Sequence, residues 1–135
     1  MRTQLKQVSF VSLMLVLACA DPLPPETQWL AGTWQWVSSC CTIAGTGPVA
    51  DSPDAFVVTL HENGVAQVTE HGVETLRTRF EVAAFPDDTL LRFDDDVFYA
   101  KQYLVIRSSG DHLTLVESPG RCADCLSRHG FVRAP

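Results

Sequence analysis

Leu30-Ala31-Gly32-Thr33-Trp34-Gln35-Trp36-Val37 is the stretch from which the rest of the chain is read. Gly32 lets the backbone bend sharply at the head of a strand, because glycine takes positive φ without Cβ strain. The two-residue period of a strand then sends Trp34 and Trp36 to one face and Gln35 and Val37 to the other. Two indoles side by side are a large apolar surface that later segments must cover.

The segments that follow have the right form to do so. Thr33 to Cys40 reads as the first strand, and Cys41 to Pro53, with Gly45, Gly47, Pro48 and Pro53, as a long loop expected across one mouth of a barrel. Ala55 to Glu62 is β-branched and aromatic, with Phe56, Val58 and Leu60 on one face. Asn63-Gly64 predicts a type I′ hairpin turn into Val65 to His71. Gly72 predicts a tight turn, and Thr75 to Ala83 alternates with Leu76 and Phe80 on one side. Pro86-Asp87-Asp88 and Asp94-Asp95-Asp96 read as turns around a short strand, Thr89 to Phe93. Val97 to Arg107 reads as one long strand with Phe98, Ala100, Leu104 and Ile106 sharing a face. His112 to Glu117 and Leu126 to Arg133 complete the series. No run of ten residues has a helical period. The expected fold is all-β, a single antiparallel up-and-down barrel of about eight strands, closed because closure removes two sticky edges.

The chain has 135 residues and a formal net charge of −6, enough for one domain and the wrong sign for phosphate backbones. Residues 1–18 read as a secretory leader: Arg2 and Lys6 precede an apolar run, Val8 to Ala18, that is shorter than a membrane span. Val16-Leu17-Ala18-Cys19 resembles a bacterial lipobox, in which the cysteine is lipidated and becomes the first mature residue. The competing reading is an ordinary signal peptide that contains Cys19. Residues 19–28, with Pro22, Pro24 and Pro25, are expected to be an extended tether, and 29–135 the folded domain.

The order of motifs is similar to that of bacterial lipocalin-like lipoproteins. The residues that carry the likeness are Gly32-Thr33-Trp34-Gln35-Trp36, Glu62-Asn63-Gly64, Gly110-Asp111-His112-Leu113-Thr114-Leu115, Cys122-Ala123-Asp124 and Phe131-Val132-Arg133. The resemblance implies a calycin-type barrel with a ligand-binding or interaction role. In secreted animal lipocalins an Arg near the C-terminus stacks on the first Trp, and the likeness implies the same for Arg133 on Trp34 or Trp36, a solvated terminal Arg being the alternative. The Thr-Asp-Tyr motif of secreted animal lipocalins is missing from the sequence.

Cys40 and Cys41 stand at one end of the barrel sequence and Cys122 and Cys125 at the other. First and last strands of a closed barrel are neighbours, so bridges between the pairs are expected in an oxidising compartment. A four-cysteine zinc site, or free or redox-active thiols, are the alternatives, but adjacent Cys40-Cys41 lacks the usual zinc spacing. His61, His71, His112 and His129 read as surface residues at strand ends, with His61 and His71 close enough in sequence to approach one another. The aspartates of the two turns read as solvated acids in preference to a calcium loop. No nucleophile elbow or phosphate loop is present, so neither catalysis, a metal nor a cofactor is expected.

Two functions fit. One is a barrel anchored in the bacterial cell envelope, facing periplasm or exterior, that holds a small apolar ligand in a cup. That cup would be lined by Trp34, Trp36, Phe56, Val58, Leu60, Leu76, Phe80, Phe98 and Leu104, with both tryptophans at its closed end. The other is a filled barrel that presents loops, chiefly 41–53, to a protein partner. No nucleic-acid partner is expected.

Overall fold

The computed structural model describes residues 23–40, 47–118 and 127–135. Its eight strands are β1 (Gly32–Cys40), β2 (Val57–Leu60), β3 (Val65–Glu70), β4 (Val73–Ala84), β5 (Thr89–Val97), β6 (Ala100–Ser109), β7 (His112–Glu117) and β8 (Arg128–Arg133). Each pairs antiparallel with the next, and β8 returns to β1, so the ring closes as the lipocalin-like, up-and-down barrel expected from the sequence.

One end, the base, carries the starts of β1, β3, β5 and β7. A 3-10 helix, Pro25–Leu30, covers it. Within the stretch read as a tether, residues 19–22 lie outside the described residues, while Leu23 belongs with Leu30 to the barrel's core and Thr27 is buried beside them. The proline run contributes Pro25 to the first turn of that helix, where its lack of an N–H costs nothing.

The base is locked by three residues far apart in sequence. The Trp34 ring is 1% exposed, and its Nε1–H donates to the Leu30 carbonyl at 2.8 Å. The Arg133 guanidinium lies 4.3 Å over the Trp34 ring and donates to the carbonyls of Ala31 and Trp29 at 3.0 and 2.6 Å. Gly32 has φ +135°, and a Cβ there would collide with the same guanidinium. The expected glycine is therefore required twice, for conformation and for space.

The turns refine the sequence reading. At Asn63-Gly64 only Gly64 has positive φ, 84°. Gly64 N–H donates to His61 O at 3.0 Å and His61 N–H to Val65 O at 2.9 Å, the bonding of a three-residue loop with a glycine bulge. The I′-type pair is His71-Gly72, with φ of 50° and 80°. His61 and His71 sit at opposite ends of β3 and so do not approach each other.

Asp94-Asp95-Asp96 is part of β5, not a turn. Between the pairs Arg92↔Gln102 and Val97↔Ala100, β5 has four residues (93–96) where β6 has one (101). This wide bulge carries the acids outward, where the Asp95 carboxylate accepts a hydrogen bond from Thr78 Oγ1 at 2.8 Å. The strand expected to run through Val97 instead turns at Phe98-Tyr99. That turn and the bulge reset the parity of β6. Leu91 pairs with Tyr103 facing inward, while Leu104, expected in the cup, is half-buried opposite Leu90 on the outer side.

Truncation of the lock tests this account. Trp34→Ala is expected to cost about 3–5 kcal/mol of stability in urea unfolding. Ile106→Ala, 45% exposed on the outer wall, should change stability by less than about 0.5 kcal/mol.

Candidate functional site

Among the described residues, the other end of the barrel, its mouth, is built from residues 47–56 before β2, the His71-Gly72 turn and the Phe98-Tyr99 turn. Segment 47–50 does not cross the opening as expected. It folds back along β1, with Ser39 N–H donating to Pro48 O at 2.9 Å and Ala50 N–H to Val37 O at 2.8 Å. Gly47 permits this approach, since any Cβ would strike the Ser39 carbonyl.

Phe98 closes the lumen from the far side. In the ring, its turn lies opposite β1, yet its ring meets Trp36 at 5.2 Å, Phe56 at 4.7 Å and His129 at 4.7 Å. Its φ is +68°, and Tyr99 N–H donates to Val97 O at 3.0 Å across it, a γ-turn. A bulky residue at positive φ costs on the order of 1–3 kcal/mol and persists only where surroundings fix it. Here Tyr103, 1% exposed, does the fixing. Its hydroxyl donates to Val97 O and accepts from the N–H groups of Tyr99 and Ala100 at 3.2 and 3.0 Å.

Beneath this plug the interior is full. The void among Trp34, Val58, Leu60, Phe93, Tyr103 and Phe131 measures about 10 Å³, room for one water at most. Val58, Leu60 and Phe80 are buried core, and Leu76 packs against it. Trp36 does not share the closed end with Trp34. It stands one step nearer the mouth, where it, Phe56 and Phe98 line a surface cleft of about 370 Å³ with Pro48, Val49, Asp51, Ala55, Glu70, His71 and Tyr99.

The cleft's inner wall rests on a buried polar group that includes His129, which the sequence reading left on the surface. His129 and Glu117 are each 3% exposed, and Ser39 is buried with them. Trp36 Nε1–H donates to Ser39 Oγ at 3.0 Å, and Ser39 Oγ lies 2.7 Å from His129 Nδ1. His129 Nε2 is 3.5 Å from Glu117 Oε1. Trp36 Nε1 can only donate, so Ser39 Oγ accepts from it, and the direction of the Ser39–His129 bond follows the imidazole tautomer. A bulge makes this meeting happen. Trp36 pairs with Phe131 and Ser38 with Gly130, so Val37 is an extra residue and Ser39 turns inward opposite His129. Glu117 and His129 occupy the same parity as Leu115 and Phe131, so strand alternation alone places both inside. Serine on Nδ1 and acid on Nε2 is the reverse of a hydrolytic triad. The arrangement orients the Trp36 indole.

Around the rim, His71 N–H donates to Asp54 O at 2.8 Å and clasps the loop before β2 to the β3–β4 turn. The Ser52 hydroxyl, 2.6 Å from the Asp54 carboxylate, holds that acid below its ordinary range. Cys40 is exposed at the end of β1, opposite Arg128. Cys19, Cys41, Cys122 and Cys125 lie outside the described residues. Among the described residues no cluster of three metal-ligating side chains occurs. Comparison with family models, with curated proteins and with solved structures finds no match to this chain.

Tyr103→Phe removes one hydroxyl and its bonds to three backbone groups, leaving Tyr99 N–H and Val97 O only the bond to each other across the γ-turn. We expect a loss of about 1–3 kcal/mol. Hydrogen exchange should also quicken at the amides of Tyr99 and Ala100, a local signature that a uniform loss of stability would not produce.

Proposed function

We propose that this protein is a non-catalytic, lipid-anchored, lipocalin-like binding protein of the bacterial cell envelope that holds a small, largely apolar ligand at its mouth. The carrying observation is the aromatic-walled cleft of about 370 Å³ outside an interior with about 10 Å³ to spare. The cleft volume falls within the range of small-molecule sites, about 300–1,000 Å³. Trp36, Phe56 and Phe98 supply its apolar wall. The remaining residues expected in a cup belong to the core or, for Leu104, to the outer side.

The lipobox-like end of the leader supports anchoring at Cys19. Leu23, buried with the base, follows Cys19 by four positions. Four residues reach at most about 14 Å. Anchored in this way, the barrel would hold its base toward the membrane and its mouth away from it.

A protein partner is the second reading. Val37, Val49 and Tyr99 are exposed apolar side chains near the same opening. The two readings separate on ligand titration. Emission of the apolar dye N-phenyl-1-naphthylamine should rise saturably with wild-type protein. Ala55→Trp, which fills the cleft, should abolish the rise while the melting temperature stays within a few degrees. No saturable rise with folded wild type would leave the partner reading standing.

Two mass measurements check the envelope assignment. Intact protein from the membrane fraction should begin at diacylglyceryl-Cys19. Differential alkylation should show Cys40 or Cys41 bridged to Cys122 or Cys125, whose sequence positions flank the paired ends of β1 and β8.

A further inference from the structure

We infer that the mouth cleft selects a compact organic cation, a substituted ammonium group whose apolar methyl or alkyl groups face the aromatic wall. This rests on the mouth reading above and adds the charge of the ligand to it.

The cleft has two kinds of wall. Trp36, Phe56 and Phe98 form one, with ring contacts of 5.2 Å between Trp36 and Phe98 and 4.7 Å between Phe56 and Phe98. Aromatic faces carry negative quadrupole charge, and clustered rings are the common receptor for alkylated ammonium groups. Asp51 and Glu70 belong to the other wall. Among the described residues neither carboxylate has a cationic partner, and the cleft's lining includes no lysine or arginine. Asp54 adds charge beside it, held ionised by Ser52.

The two carboxylates come from segments that are tied together. Asp51 belongs to the loop before β2 and Glu70 to the end of β3, and the His71 N–H to Asp54 O bond clasps these segments at 2.8 Å. An apolar wall alone would accept neutral guests as readily as charged ones. Carboxylates at its edge repel anions and attract cations, and the effect is amplified over an apolar, low-dielectric floor. Size sets the rest. Phe98 plugs the lumen and the void behind it holds one water at most, so no acyl chain can extend inward. The occupant is compact.

An ammonium of this kind occurs free or as the headgroup of a choline lipid. The carboxylate rim disfavours the headgroup, whose phosphate lies close to its ammonium. The free cation is the predicted ligand.

Three molecules of one shape provide the test: choline, 3,3-dimethyl-1-butanol and 3,3-dimethylbutyrate are cationic, neutral and anionic. Each is titrated against N-phenyl-1-naphthylamine bound to the full mature protein, with glycerophosphocholine as the headgroup arm. Choline should displace the dye at a concentration at least about tenfold below that of the alcohol. The butyrate and glycerophosphocholine should be weaker than choline. Asp51→Asn combined with Glu70→Gln should shrink the choline-to-alcohol ratio toward one. Equal displacement by choline and the alcohol, or displacement by neither, overturns the cation inference and leaves the mouth site intact. Glycerophosphocholine as strong as choline assigns the headgroup instead. A dye that does not bind folded wild type overturns the mouth reading and this inference with it.

Discussion

Arg133 between the Trp34 ring and the carbonyls of Trp29 and Ala31 is the interaction on which the rest of the barrel depends. It joins the last residue of β8 to the first turn of β1 and to the helix that seals the base. One guanidinium thereby closes the ring and fixes the lid. The cost of holding that charge partly buried is offset by two hydrogen bonds and a cation–π contact, each directed by its planar fork. Trp29 repeats the device on the neighbouring side, with the Arg107 guanidinium 4.7 Å over its ring. A base secured from β1, β6 and β8 leaves the mouth as the end free to specialise.

Three irregularities of the sheet shape that end, while the Gly64 and Ser108 bulges lie at the base. The extra residue Val37, the three-residue excess in β5 and the γ-turn at Phe98 all lie in the mouth half. Each re-aims a side chain that regular alternation would direct elsewhere. The Val37 bulge turns Ser39 inward to His129, and the Phe98 turn throws a phenyl ring across the lumen to Trp36 and Phe56. The polar group of Ser39, His129 and Glu117 then supports Trp36 from below. Bulges and strained turns cluster where a fold departs from its own periodicity to shape a site.

The same contrast explains what the sequence made legible. Regular alternation revealed eight strands, their order and the inward side of β2 and β4, because a one-residue error there would expose an entire apolar set. Gly32, Trp34 and Arg133 were readable as a group from a family likeness. Leu104 was misplaced because two features invisible to a period-two pattern, the β5 bulge and a turn made by Phe and Tyr without glycine, intervene before it. His129 and Glu117 were legible by parity with Phe131 and Leu115. They were passed over because an imidazole and a carboxylate seldom sit in a core unless they are hydrogen-bonded, and that partnership needs the Val37 bulge. The cleft had no linear signature. Its residues come from β1, the loop before β2, the end of β3 and the β5–β6 turn, and only barrel closure brings them together.

An eight-stranded barrel encloses just enough space for packed side chains or for one small guest. Trp34, Phe80, Phe93, Tyr103 and Phe131 take that space here, and Phe98 finishes the packing from above. With so many rings inside, stability and an internal cup compete for the same volume, and in this short chain the core has won. The rim, by contrast, is built of loops that can carry carboxylates the core would exclude. The floor of the rim site is nonetheless a core residue, because Phe98 faces the cleft on one side and the void on the other. The backbone strain stored at Phe98 is held by one buried hydroxyl, that of Tyr103. The aromatic wall of the mouth cleft is thus coupled to the packing of the interior through a single turn.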